Sequence, residues 1–180
     1  MSILKALGIG GAAKSWPGQL DNDPTDSVRK IVRELEGLDP EKARYVAAFA
    51  YILGRVANAD LEITAEETAA MESIVSKLGH LPDDQAVLVV EIAKGQNQLF
   101  GGTENFVVTR EFASIATLQQ RRELLDCLFA VSAADETITA EEERQIRQIA
   151  SELGFSHREY VEARQAYSEY RAVLQPFRRR

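Results

Sequence analysis

The sequence predicts an all-α fold, a single helical-bundle domain with an internal pseudo-twofold repeat. Three observations predict it. The acidic segment Ala59-Asp60-Leu61-Glu62-Ile63-Thr64-Ala65-Glu66-Glu67 returns as Ala134-Asp135-Glu136-Thr137-Ile138-Thr139-Ala140-Glu141-Glu142. Around it, Ala57 to Gly79 aligns on Ser132 to Gly154 without a gap, placing Ile74 over Ile149, Ser76 over Ser151 and Leu78 over Leu153. Apolar residues recur along the chain at three- and four-residue steps, and no convincing strand pattern is present.

Each copy reads as a helical hairpin: an apolar helix, an acidic turn, a capped helix and a glycine stop. Thr64 with Glu67, and Thr139 with Glu142, have the S/T-x-x-E spacing in which the hydroxyl accepts a first-turn N–H and the carboxylate reaches back to the cap. Gly79 and Gly154 stand where a residue beyond the helix end would need positive φ, which glycine adopts without a Cβ penalty. Between cap and stop, Ala70, Met71, Ile74, Val75 and Leu78 form one apolar face, as do Ile146, Ile149, Ala150 and Leu153.

The helices before the turns, Val46 to Leu53 and Leu124 to Val131, are apolar on nearly every side and belong in the centre. Their small residues, among them Ala47, Ala50, Ala130 and Ala133, permit close approach, so the two are expected to cross at the pseudo-twofold axis.

The remaining elements follow in order. Residues 1–23 are expected to be a flexible arm, although Ile3, Leu4 and Leu7 beside Lys5 could touch a membrane surface weakly. The helical domain is expected over residues 24–176. Pro24 to Glu36 reads as its first helix, with Val28, Ile31, Val32 and Leu35 on one face, and Leu81-Pro82-Asp83-Asp84 opens another. Gly101-Gly102-Thr103 breaks the chain, and a short helix follows from Phe106 to Ile115. Ser156 with Glu159 starts a terminal helix carrying Tyr160, Val161, Ala166, Tyr167, Tyr170 and Leu174. Residues 177–180 form a basic tail, either solvated or in contact with an anionic lipid or partner.

With 180 residues and 45% hydrophobic composition, the chain can bury a sizeable core in one domain. A net charge of −7 argues against a nucleic-acid binder, because phosphate binding requires clustered cations. The lone Cys127 lies on an apolar helix, which excludes disulfide stapling and points to buried packing. No long apolar run reads as a signal peptide or a membrane span, so a cytoplasmic location is expected, with the inner membrane face as the alternative.

The chemistry of the turns is that of carboxylates. Asp60, Glu62, Glu66 and Glu67, with Asp135, Glu136, Glu141 and Glu142, could supply hard oxygen ligands to Ca²⁺, Mg²⁺ or Mn²⁺, relieving their mutual repulsion. Alternatively they favour the positive helix N-termini and are otherwise solvated. Neither turn is an EF-hand: counting from Asp60, Ala65 and Met71 take the positions of the required glycine and glutamate, and counting from Asp135, Ala140 and Ile146 do. His80 and His157, expected as exposed turn residues, have no cysteine partners for zinc. A hydrolase or other enzyme using the clustered carboxylates is the alternative function, but no nucleophile, phosphate-cradling loop or cofactor motif accompanies them.

The repeated turn resembles the TerB family of tellurite-resistance proteins, on Ala59-Asp60 with Glu66-Glu67 and Ala134-Asp135 with Glu141-Glu142, over roughly Ala43 to Tyr167. Leu61 and Glu136 stand where that family usually has glycine. The resemblance implies an all-helical fold of about seven to nine helices. Related domains also occur beside J-domains in membrane-anchored co-chaperones, but this chain lacks the His-Pro-Asp signature of a J-domain. A non-catalytic stress-response or envelope-associated module with protein partners is the function expected, and catalytic and cofactor-binding residues are expected to be absent.

Overall fold

A computed structural model describes residues 30–31, 33–57, 64–95, 105–134 and 136–171. Among them the chain is helical, with a segment ending at Glu36 followed by α1 (Pro40–Ala57), α2 (Ala65–Leu78), α3 (Asp83–Lys94), α4 (Asn105–Ile115), α5 (Leu118–Ala133), α6 (Ala140–Glu152) and α7 (His157–Gln165). The only extended pairing among the described residues is an isolated parallel bridge between Ile138 and Arg171. The all-α expectation holds. The parts of the expected first helix before Lys30, the arm and the basic tail lie outside the described residues.

Helix α1 is the axis of the core. Asp39 accepts the Glu41 N–H at 3.0 Å, which satisfies one orphan donor of the first turn, and Pro40 occupies the first helical position, where no N–H is needed. From Val46 to Leu53 every residue is buried. A helix apolar all round must be enclosed, and α1 packs against α3, α4, α5 and α6. Phe49 and Leu128, on the two expected central helices, share one hydrophobic core. Tyr45, Phe49 and Phe112 form an aromatic cluster, with Tyr45 and Phe112 centroids 5.2 Å apart.

Helix α5 is enclosed from Leu124 onward, the stretch expected in the centre, and solvated before it. Its buried residues begin only at Leu124, and Leu118 is 55% exposed. The reason is its start: Thr117 and Gln120 form a further reciprocal cap, with 3.2 Å and 2.8 Å bonds, so the first turn is a solvated helix entry. Cys127 is fully buried and burial pushes its thiol up, which keeps it an inert packing residue.

The two glycine stops work for different reasons. Gly154 has φ +89°, with the Gly154 N–H bonding Ser151 O and the Phe155 N–H bonding Ala150 O, the paired bonds of a Schellman ending. Gly79 does not meet the expectation of positive φ. Its φ is −78°, and the left-handed residue is the next one, His80, at φ +51°. Glycine is required there by packing, since a Cβ would stand 3.2 Å from Phe49 Cζ and 2.5 Å from the Val75 carbonyl oxygen. The terminal helix is also shorter than expected. It ends at Gln165, so Tyr167 and Tyr170 lie in the turns that follow, and Leu174 is outside the described residues. Those turns still pack: Tyr167 stacks on Phe129 with centroids 5.3 Å apart.

One charge pair is built into the core. Arg55, near the end of α1, donates to Glu152 of α6 at 2.7 Å and to the buried Thr109 hydroxyl of α4 at 2.8 Å. Both charged side chains are more than nine-tenths buried. Burial pushes the Glu152 carboxyl up, but hydrogen bonds from Arg55 and Gln148 outweigh it and hold the group below its ordinary 4.5. A lowered carboxyl contributes stability above its unfolded value and loses it as pH falls through the folded one. Glu152→Gln should therefore cost about 3 kcal/mol at neutral pH, because it strands a buried guanidinium. In urea titrations from neutral to acid, the gap between wild type and variant should narrow only below about pH 4.5; a gap constant with pH would contradict the pairing.

Candidate functional site

The repeated acidic turns are the candidate site, and the helices that follow them are built identically at their starts. Thr64 and Thr139 have extended backbones, with φ −69° and −70°. The Glu67 N–H donates to Thr64 Oγ1 at 3.2 Å, while the Glu67 carboxylate accepts the Thr64 N–H at 2.6 Å. In the second copy the Glu142 N–H donates to Thr139 Oγ1 at 3.2 Å, and the Glu142 carboxylate accepts the Thr139 N–H at 2.8 Å. Hydrogen bonds from the Thr64 backbone and hydroxyl hold Glu67 below its usual carboxylate range.

The remaining described acids have different surroundings. Glu66, on the first turn of α2, has no partner among the described residues. Glu141 accepts two bonds from the Arg144 guanidinium, at 2.9 and 2.6 Å, and one from Gln145 at 3.2 Å; these lower its carboxyl to about 2. Thus the structure commits Glu67 and Glu142 to caps and Glu141 to an arginine. Asp60, Glu62 and Asp135 lie outside the described residues. Among the described residues, no group of three or more His, Cys, Asp or Glu side chains is arranged to hold a metal ion.

Glu136 has φ +59°, the left-handed conformation that suits glycine, and its N–H bonds Ala133 O at 3.0 Å. The second turn therefore keeps a glycine-like geometry on a glutamate. Leu61, its counterpart, is outside the described residues.

Sequence reasoning missed what fastens the second turn. Ile138, just past it, is 1% exposed, and its N–H donates to Tyr170 O at 2.6 Å. Glu143 of α6 accepts one bond from Arg164 at 2.9 Å and two from Arg171 at 2.7 and 2.8 Å. Burial pushes the Glu143 carboxyl up, but the two guanidiniums outweigh it and leave it lowered. The C-terminal segment is thus tied across the start of α6. The only signals for this in the sequence are a third glutamate after the repeated pair and two well-spaced arginines, with nothing to join them.

The left-handed backbone at Glu136 generates a prediction. A non-glycine residue there costs roughly 1–2 kcal/mol, and glycine's greater unfolded-state entropy returns part of the gain. Glu136→Gly should raise stability by up to about 1 kcal/mol, read as a later urea midpoint at unchanged m-value. A loss of stability would mean that the glutamate side chain contributes more than its backbone strain costs.

Among the described residues, no helix is long and apolar enough to cross a membrane. Comparison with curated proteins and with solved structures gave no significant match. A family model described as Tellurite resistance protein TerB matches residues 46–165, from the buried centre of α1 to the last residue of α7. The match takes in both acidic turns and covers well over half of the 180 residues. With its repeated hairpins and all-helical architecture, the chain belongs to the TerB family.

Proposed function

We propose that this chain is a non-catalytic TerB-like interaction module of a cytoplasmic stress-response or envelope-associated assembly, and that its acidic turns form the docking face. The observation that carries this reading is the rigid start of each post-turn helix. The caps at Thr64 and Thr139 fix where the acids leave the fold, and Glu143 with Arg164 and Arg171 fastens the second copy. Fixed carboxylates on a charged face favour fast, selective association with a basic partner surface. The same environment argues against acid–base catalysis, since Glu67 and Glu141 are held ionised by their partners rather than poised near neutral pH.

A divalent cation belongs to this reading as a second component. Glu66 leaves an uncompensated carboxylate at the first turn, and Asp60, Glu62 and Asp135 are the ligands that would join it. Ca²⁺, Mg²⁺ or Mn²⁺ would suit such an all-oxygen set. Titration calorimetry of chelator-treated protein with each ion tests it. One site occupied at a hundredfold excess over its dissociation constant adds about 2.7 kcal/mol, visible as a raised Tm, and Asp60→Asn or Asp135→Asn should each reduce that shift. No heat and no thermal shift at millimolar metal would remove the cation from the proposal. For the docking face, capture from native cytosol and membranes should yield reproducible partners that Glu66→Lys with Glu141→Lys releases. Unchanged capture by that double variant would place docking elsewhere, and turnover of a small molecule would favour an enzyme.

A further inference from the structure

The chain seats a ligand of its own beside the second acidic turn. The family match ends at Gln165, the last residue of α7, and Ala166 to Arg171 run on from it as turns laid over α5 and the start of α6. Their anchors are those of a bound peptide. Tyr167 stacks on Phe129 of α5 with an interplanar angle of 13°, and its hydroxyl donates to the Asp126 carbonyl at 3.3 Å. Tyr170 gives its carbonyl to the Ile138 N–H, and Ile138 and Arg171 form the parallel bridge just past the turn. Arg171 then closes a bidentate fork on Glu143, with 15% of its side chain exposed against 16% for the glutamate. An aromatic anchor, a main-chain bond and a guanidinium–carboxylate fork supply contact area, register and charge recognition.

The surface under this segment is positioned by other parts of the fold. Helix α5, which carries Phe129, packs against α1, α2 and α6. The Thr139 cap fixes the start of α6, and Arg164, on α7, holds Glu143 at 2.9 Å. The segment itself adds nothing to the buried core, since no residue from Ala166 to Arg171 is buried. A stretch held by a few partly exposed contacts opens at a lower cost than the fold beneath it.

From these contacts we infer that the groove beside the second acidic turn is a peptide-recognition site, closed in this chain by its own residues 166–171 and taken by a partner segment of the same chemistry, a tyrosine followed four positions later by an arginine. The site rests on the docking role proposed for the acidic turns and gives the second one its partner chemistry. Because the closing segment is tethered directly to α7, it competes at an effective concentration on the order of millimolar, so weak ligands are excluded.

The probe is a fluorescein-labelled synthetic peptide of residues 166–173, titrated into the full chain and followed by anisotropy. Wild type should bind it weakly, because its own segment competes. Arg171→Ala, which leaves Glu143 paired to Arg164 and so should fold, should bind it at least about tenfold tighter than wild type. On that opened chain, the peptide should lose at least about tenfold when it carries Arg171→Ala itself, or when Glu143→Gln is added to the protein. If Arg171→Ala fails to fold, native-state hydrogen exchange of wild type decides: the Ile138 amide should exchange faster than that of Ile149 inside α6, since the segment opens without the fold. No binding to the Arg171→Ala chain at about 1 mM peptide would overturn the inference, as would an affinity no higher than that of wild type, an affinity unmoved by Glu143→Gln, or equal protection of Ile138 and Ile149. Docking at the turns is tested separately by Glu66→Lys with Glu141→Lys, which touches none of these contacts, so the two failures are told apart.

Discussion

Beyond its first turns helix α1 has almost no face that tolerates water, and four of the described helices cover it. The unbroken run of buried residues from Val46 to Leu53 brings α3, α4, α5 and α6 around one axis. That arrangement has an electrostatic consequence. A helix enclosed along its length carries any charge near its end into the interior, and Arg55 is such a charge. It is tolerable only because Glu152 and Thr109 arrive from two other helices to meet it. The pair is therefore a condition on how α4 and α6 sit against α1 more than a source of net stability.

The second principle of the fold is economy in starting helices. Four of the helices use the same reciprocal cap, in which one hydroxyl and one carboxylate or carboxamide satisfy each other's backbone donors. This has a direct bearing on function, since at the two acidic turns a carboxylate used as a cap is partly withdrawn from other chemistry. The turns then present a mixed set, with Glu67 and Glu142 capping, Glu141 paired to Arg144, and Glu66 free among the described residues. These commitments are what the proposed docking role rests on. Where the capping rule is broken, at Pro82 and Gln85, a buried acceptor is left without a donor.

The repeat is symmetric in sequence and asymmetric in structure. Gly154 supplies a left-handed backbone, whereas the equivalent Gly79 supplies space for Phe49. The second hairpin is fastened by Arg164 and Arg171 through Glu143, while the corresponding residue of the first copy, Thr68, accepts a single bond from Lys94 of α3 at 2.9 Å. Two equal hairpins thus acquire different neighbours, because the chain that follows each one packs differently.

What the sequence determined by itself was local. Capping spacing, apolar periodicity and the duplicated turn are written in residues a few positions apart, so the all-α class, the starts of α2, α6 and α7, the short α4 and the burial of Cys127 were legible. The Thr117–Gln120 cap is equally local, with the same three-residue spacing as the others. What only the tertiary structure decided were relations across long stretches of chain: that Arg55 meets Glu152, that Glu143 gathers two distant arginines, that Gly79 lies against Phe49, and that Gln85 is left without a donor. A sequence specifies which groups are short of a partner, and only packing decides which distant residue supplies it and which group goes without.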